Sequence, residues 1–136
     1  MDEKLLRDAA LDYHRTPTPG KISVTPTKGL INQHDLSLAY SPGVAYACLA
    51  IKDDPREAAG LTSRANLVAV VTNGTAVLGL GDIGPYAAMP VMEGKALLFK
   101  HFAGVDAFPI CLNTKDPEEI IETVLRLEPT MVSIGR

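Results

Sequence analysis

Residues 66–100 read NLVAVVTNGTAVLGLGDIGPYAAMPVMEGKALLFK, and the order of signals in this stretch sets the fold. An apolar run, Leu67 to Val71, meets Asn73-Gly74, a dipeptide that favours a tight two-residue turn because both turn positions take positive φ. A second apolar run, Ala76 to Leu80, follows at once, so residues 66–80 predict a β-hairpin. Gly79, Gly81 and Gly84 then fall at the spacing G-x-G-x-x-G. Beyond them, apolar residues recurring at three and four predict a helix from Val91 to Ala103, with Pro90 marking its start and Lys95 within it.

Downstream the signals alternate. Val105 to Leu112 predicts a strand, which Pro109 confines to an edge or an irregular position because proline has no N–H to donate to a ladder. Asp116-Pro117-Glu118-Glu119 is a helix start, and the helix buries Ile120, Ile121, Val124 and Leu127 before Pro129 ends it. Met131 to Ile134 begins another strand. Helix–strand–helix–strand order predicts parallel pairing by right-handed crossover. The expected class is therefore α/β: a mixed sheet with a β-hairpin and parallel crossovers, flanked by helices.

Upstream, residues 3–14 predict a helix, stopped by Pro17, Pro19 and Gly20. Residues 21–28 are extended, with Pro26 barring a central strand. His34 to Ala39 predicts a short helix that leads to Tyr40. Ser41 suits an N-cap and Pro42 the first position of a helix running through Ile51. Asp54-Pro55 repeats that start, and Gly60 ends the short helix that follows. The expected division is an N-terminal helix and extended arm at 1–30, a candidate dimerisation element, then a main domain at 31–130 and a short tail at 131–136.

Composition narrows the function. The 136 residues are 46% hydrophobic and 21% charged, as in ordinary globular proteins, and the net charge of −3 gives no basic face for nucleic acid or anionic lipid. No run approaches the ~20 apolar residues that span a bilayer. Met1-Asp2-Glu3-Lys4 has neither the basic start nor the apolar core of a signal peptide, so the expected compartment is the cytoplasm. Cys48 and Cys111 make neither a disulfide framework nor a zinc pattern and read as partly buried free thiols.

The glycine triplet invites a dinucleotide, and Asp106 lies roughly twenty positions on, where a ribose ligand is expected. Three features count against Gly79, Gly81 and Gly84 as a cofactor cradle. Pro85 follows Gly84 and Pro90, the predicted helix start, comes six residues after it, and Asp106 opens its strand instead of closing it. The preceding strand, moreover, is read as a hairpin arm. The alternative is that these glycines let backbone approach closely.

Lys95 offers different chemistry. Val91, Leu98, Phe99 and Phe102 stand at i−4, i+3, i+4 and i+7 from it, so it is central to an apolar helix face. Desolvation disfavours an ammonium, which predicts a lysine pKa lowered towards neutrality and a usable general base. The competing reading is a snorkelling lysine. Tyr40 precedes Ser41-Pro42, where a helix N-terminus favours anions and a phenol can act as an acid; a packed tyrosine is the plainer alternative. His14, His34 and His101 form no triad or metal spacing.

Taken together, Tyr40-Ser41-Pro42-Gly43-Val44-Ala45, Asn66 to Val71, Asn73 to Gly81 and Glu93-Gly94-Lys95 resemble the N-terminal domain of bacterial malic enzyme over about residues 4–130. The resemblance implies Tyr40 as general acid and Lys95 as general base in the oxidative decarboxylation of malate to pyruvate. It also implies NAD(P) as oxidant and Mg²⁺ or Mn²⁺ at the enolate, in a homodimer. Larger members carry a substrate-binding arginine where this chain has Ala76. Residues 131–136 depart from the family, which would continue to an adjacent Glu-Asp metal-ligand pair and the nucleotide domain. The expectation is thus a truncated chain, inactive alone, with no metal or cofactor site of its own and with the choice of NAD or NADP made elsewhere. An oligomerisation or interaction module and a small dinucleotide-binding domain remain as alternatives.

Overall fold

The computed structural model describes residues 2–135, with side chains through Val132. Its helices are α1 (Glu3–Arg15), α2 (Gln33–Ala39), α3 (Val44–Asp53), α4 (Ala58–Leu61), α5 (Gly84–Ala103) and α6 (Pro117–Leu127). Its strands are β1 (Leu67–Thr72), β2 (Asp106–Cys111) and β3 (Ser133–Gly135). Two compact units result: residues up to Ile22 with those from Leu67 onward, and Ser23–Asn66.

The larger unit is built on β1. Its strand order is β2-β1-β3, with β1 parallel to both neighbours. Leu67 pairs with Asp106 and Thr72 with Cys111 on one side, and Val68 pairs with Ser133 on the other. Parallel neighbours need long crossovers, which α5 and α6 supply, and the right-handed rule sets these helices on opposite faces. Burial follows suit. Ala69 and Val71 pack with Met131, Leu67, Ile110, Leu112 and Val124 of α6. Val70, one residue out of phase and 1% exposed, points to the other face, where α5 buries Ala88, Met92 and Ala96 at i, i+4 and i+8. Pro109 sits in β2, an edge strand, where a missing N–H is tolerated.

The α/β class and its parallel crossovers are therefore present, but the expected hairpin is not. After Thr72 the chain leaves the sheet, and residues 78–80 form a turn closed by an isolated bridge from Val77 to Gly81. Asn73-Gly74 serves another purpose. The Gly74 carbonyl accepts the N–H groups of Ile83 and Gly84, at 3.0 and 3.2 Å, and so caps the start of α5. That cap explains a second difference: α5 begins at Gly84-Pro85, and Pro90 lies inside it. Pro85 suits a first turn, where no N–H is required.

The smaller unit holds α2, α3 and α4. Asn32 caps α2 by accepting from Asp35 N–H at 2.9 Å. Helix α3 starts at Val44, two residues later than Ser41-Pro42 predicts, because Gly43 N–H donates to Ser37 O and Val44 N–H to Tyr40 O, both at 2.7 Å. These bonds fold residues 41–43 into a tight turn against α2. Asp54 caps a 3-10 turn at Pro55–Glu57, and α4 runs past Gly60 to Leu61.

Candidate functional site

Lys95 projects from the fourth turn of α5, but not from its buried stripe. The small residues Ala88 and Ala96, with Met92 between, face the sheet; Lys95 is exposed. Its expected apolar neighbours are exposed too: Val91 is 40%, Leu98 55% and Phe102 79% accessible. The desolvation predicted for Lys95 is thus absent within this chain. A rigid helix presents the amine to open space, flanked by apolar side chains.

Tyr40 closes α2. Its N–H donates to Leu36 O at 2.9 Å, its carbonyl holds Val44, and the residue is 71% exposed. The packed alternative does not apply. Gly43 makes this turn possible: a Cβ there would lie 2.5 Å from Ser37 O. Tyr40 belongs to the Ser23–Asn66 unit and Lys95 to the other, so each is placed by its own scaffold.

The C-terminal edge of β1 gathers polar groups that the sequence did not single out. Asn73 Nδ2 donates to Thr114 O at 3.2 Å, and Asn73 Oδ1 accepts from Thr75 Oγ1 at 2.7 Å. Lys115 Nζ donates to Asp82 at 2.6 Å, and that hydrogen bond holds the Asp82 carboxyl below its ordinary range. In the smaller unit the Arg56 guanidinium does the same for Asp54. The one signal available in advance was Asn73 itself, read there as a turn residue. Ala76 is exposed in the loop between Thr72 and α5.

The glycine triplet fares less simply. Two of the three features against it fall, since α5 does begin at Gly84 and β1 does open a parallel βαβ unit. One other replaces them, and the third, the position of Asp106, stands. Gly79 and Gly81 sit seven and nine residues past Thr72, out in a loop where an added Cβ would meet nothing within 4 Å. Asp106 pairs in register with Leu67, at the edge of the sheet opposite the α5 N-terminus, and its carboxylate takes Lys100 Nζ at 2.8 Å. A six-residue strand separates the two edges by roughly 20 Å. The residues present do not fit a nucleotide.

A divalent metal fares no better: among the described residues no three His, Cys, Asp or Glu side chains converge. Cys48 is exposed, not partly buried, while burial raises the Cys111 thiol above its ordinary value. No helix among the described residues is long and apolar enough to cross a membrane.

Comparison with known proteins identifies the family. The family described as malic enzyme, N-terminal domain, matches residues 19–127 and so includes both Tyr40 and Lys95. The NAD-dependent malic enzyme of Rhizobium meliloti (strain 1021) is 61% identical over 126 residues, which cover 93% of this chain and 16% of that protein. The NADP-dependent malic enzyme of Escherichia coli (strain K12) is 58% identical over 135 residues, covering 99% of this chain and 18% of that one. The crystal structure of malic enzyme from Pyrococcus horikoshii Ot3 superposes with a TM-score of 0.91 at 50% identity, over 95% of this chain and 30% of that chain. The chain spans less than a fifth of the length of these two curated relatives. A sheet built on β1, an exposed lysine on its crossover helix and a family match spanning both units lead to one conclusion: this chain belongs to the malic enzyme N-terminal domain family.

Proposed function

We propose that this chain is the proton-transfer portion of a malic enzyme, in which Lys95 is the general base and Tyr40 the general acid. The carrying observation is the family match across residues 19–127, with relatives named as malic enzymes at 58–61% identity. The substrate is malate and the product pyruvate. Lys95, neutral at the moment of reaction, accepts the C2 hydroxyl proton as the alcohol is oxidised to a ketone. After carboxylate loss, the Tyr40 phenol returns a proton to C3. Each role needs an accessible polar tip on a fixed backbone, which α5 and the α2–α3 turn provide.

The apolar surround that lowers a lysine's basicity then comes from surfaces packed over Val91, Leu98 and Phe102 in the assembled enzyme. NAD or NADP and the divalent cation are held by residues other than those described here, in the cytoplasm. The 136-residue chain alone is expected to produce no NAD(P)H from malate.

The test is a chimera in which this chain replaces the matching segment of the Rhizobium meliloti NAD-dependent enzyme. Activity is expected. Lys95→Ala should cut kcat by about a hundredfold or more with malate still bound, as loss of a general base does. Tyr40→Phe should spare hydride transfer and slow protonation of the product enolate. Full turnover by the Lys95→Ala chimera would end the assignment.

A second reading, a self-association role for α1, rests on one observation. Leu5, Leu6 and Tyr13 are 64%, 53% and 60% exposed on one helix. A homodimer formed through α1 should dissociate in Leu6→Glu by sedimentation equilibrium; a monomer at all concentrations in the unsubstituted chain would dismiss it.

A further inference from the structure

Glu93 lies two residues before Lys95 on α5 and is already engaged: its Oε2 accepts the backbone N–H of Lys21 at 3.1 Å. The Lys21 ammonium reaches Nε2 of His14, in the last turn of α1, at 2.6 Å. The other ring nitrogen, Nδ1, is 2.7 Å from the carbonyl oxygen of Ala10. A carbonyl only accepts, so Nδ1 carries the hydrogen and Nε2 keeps the lone pair that receives Lys21. Gly20 N–H donates to His14 O at 3.0 Å, which folds the strap back on the end of α1. His14 is the one residue of α1 that is not exposed, although the helix carries Leu5, Leu6, Leu11 and Tyr13. Three titratable residues are therefore linked within one compact unit: His14 from α1 and Lys21 from the strap through their side chains, and Glu93 from α5 through the Lys21 backbone.

We propose that His14, Lys21 and Glu93 form a proton-gated clasp that holds the end of α1 to α5 while His14 is neutral and releases it when His14 is protonated. An imidazolium has two N–H donors and no lone pair, so Lys21 loses its acceptor. Two cations would also stand 2.6 Å apart. The Lys21 bond to Glu93 and the Gly20 bond to His14 O both run through backbone N–H donors that keep their hydrogen, so the strap stays on α5 while α1, its side-chain anchor lost, hangs on the single Gly20 bond at its last turn. Release is directional: helix first, strap retained. The clasp stands apart from the catalytic assignment, and its failure would leave Lys95 and Tyr40 as they are.

The experiment is NMR on the full chain from about pH 8 to about pH 5, the interval in which an imidazole changes charge. Long-range proton–nitrogen correlations should show the Nδ1–H tautomer of His14 at the upper end. Amide exchange of α1, corrected for the intrinsic pH dependence, should accelerate at least about tenfold at the lower end, while the Lys21 amide stays protected. His14→Gln offers a carbonyl that accepts from Lys21 without titrating and should keep α1 protected throughout. Lys21→Met should leave it unprotected throughout. Wild-type exchange that is flat with pH overturns the proposal. So does His14→Gln following the wild-type profile, or the Lys21 amide losing protection in step with α1, the pattern of general acid unfolding.

Discussion

A methyl group at Gly74 would lie 2.1 Å from the carbonyl oxygen of Gly84, on a backbone whose φ is +72°. Left-handed backbone costs a residue with a Cβ about 1–2 kcal/mol, and the overlap adds to it. Gly74→Ala is therefore expected to lower stability by about 2–4 kcal/mol in urea unfolding. A loss under about 0.5 kcal/mol would mean that the loop moves freely off α5. Asp82 gives a pH test of the same loop. Its folded carboxyl is held below the ordinary carboxylate range by the hydrogen bond from Lys115. The Lys115 link therefore stabilises fully above the unfolded value and fades as pH falls through the lower, folded one. Asp82→Asn should lower the urea midpoint slightly at neutral pH and leave it unchanged in strong acid. An equal difference at both would rule out ionisation as the cause. The residue types at both candidate positions were legible in the sequence. The surroundings of Lys95 were not, because a hydropathy pattern ranks Leu98 and Phe102 above Ala88 and Ala96, whereas close approach of helix to sheet selects the small residues.

At the scale of elements, α5 is held by its contact with the sheet. Met92, 4% exposed, lies on the face turned to Val70 and should cost about 2–4 kcal/mol when changed to alanine, read from the same unfolding curve. Near-neutral behaviour would show that α5 docks through its ends alone. Two helices were legible from local signals alone: α6 from Asp116-Pro117, where Asp116 caps Glu118 N–H at 2.9 Å, and α1 from its three-and-four spacing. Pairing was harder. Asn73-Gly74 is a strong local hairpin signal, and it was overruled by partners far along the chain, β2 and β3, that no local pattern announces. The start of α5 was misplaced for a related reason. Its cap comes from Gly74 O, ten residues upstream of Gly84, and not from a side chain beside the helix.

For the whole molecule, the segment from Met131 to Gly135 belongs to the core and the sheet. Met131 is 7% exposed in the core with Ala69 and Val71, and Ser133–Gly135 pairs with β1. Removing 131–136 uncovers one edge of the central strand. It should cost at least about 2 kcal/mol and lower the thermal midpoint by several degrees in a differential scan. An unchanged midpoint would make the segment dispensable.

The β2-β1-β3 order also bears on how the protein is made. The central strand leaves the ribosome before either of its neighbours, because both β2 and β3 lie C-terminal to it. Until Asp106–Cys111 has emerged, Val70 has no flanking strand, and until Ser133–Gly135 follows, the second edge of β1 stays open. Synthesis thus outruns assembly from Thr72 until Ser133–Gly135 has been made. The nascent segment Leu67–Thr72 is the stretch that a holdase chaperone would be expected to cover.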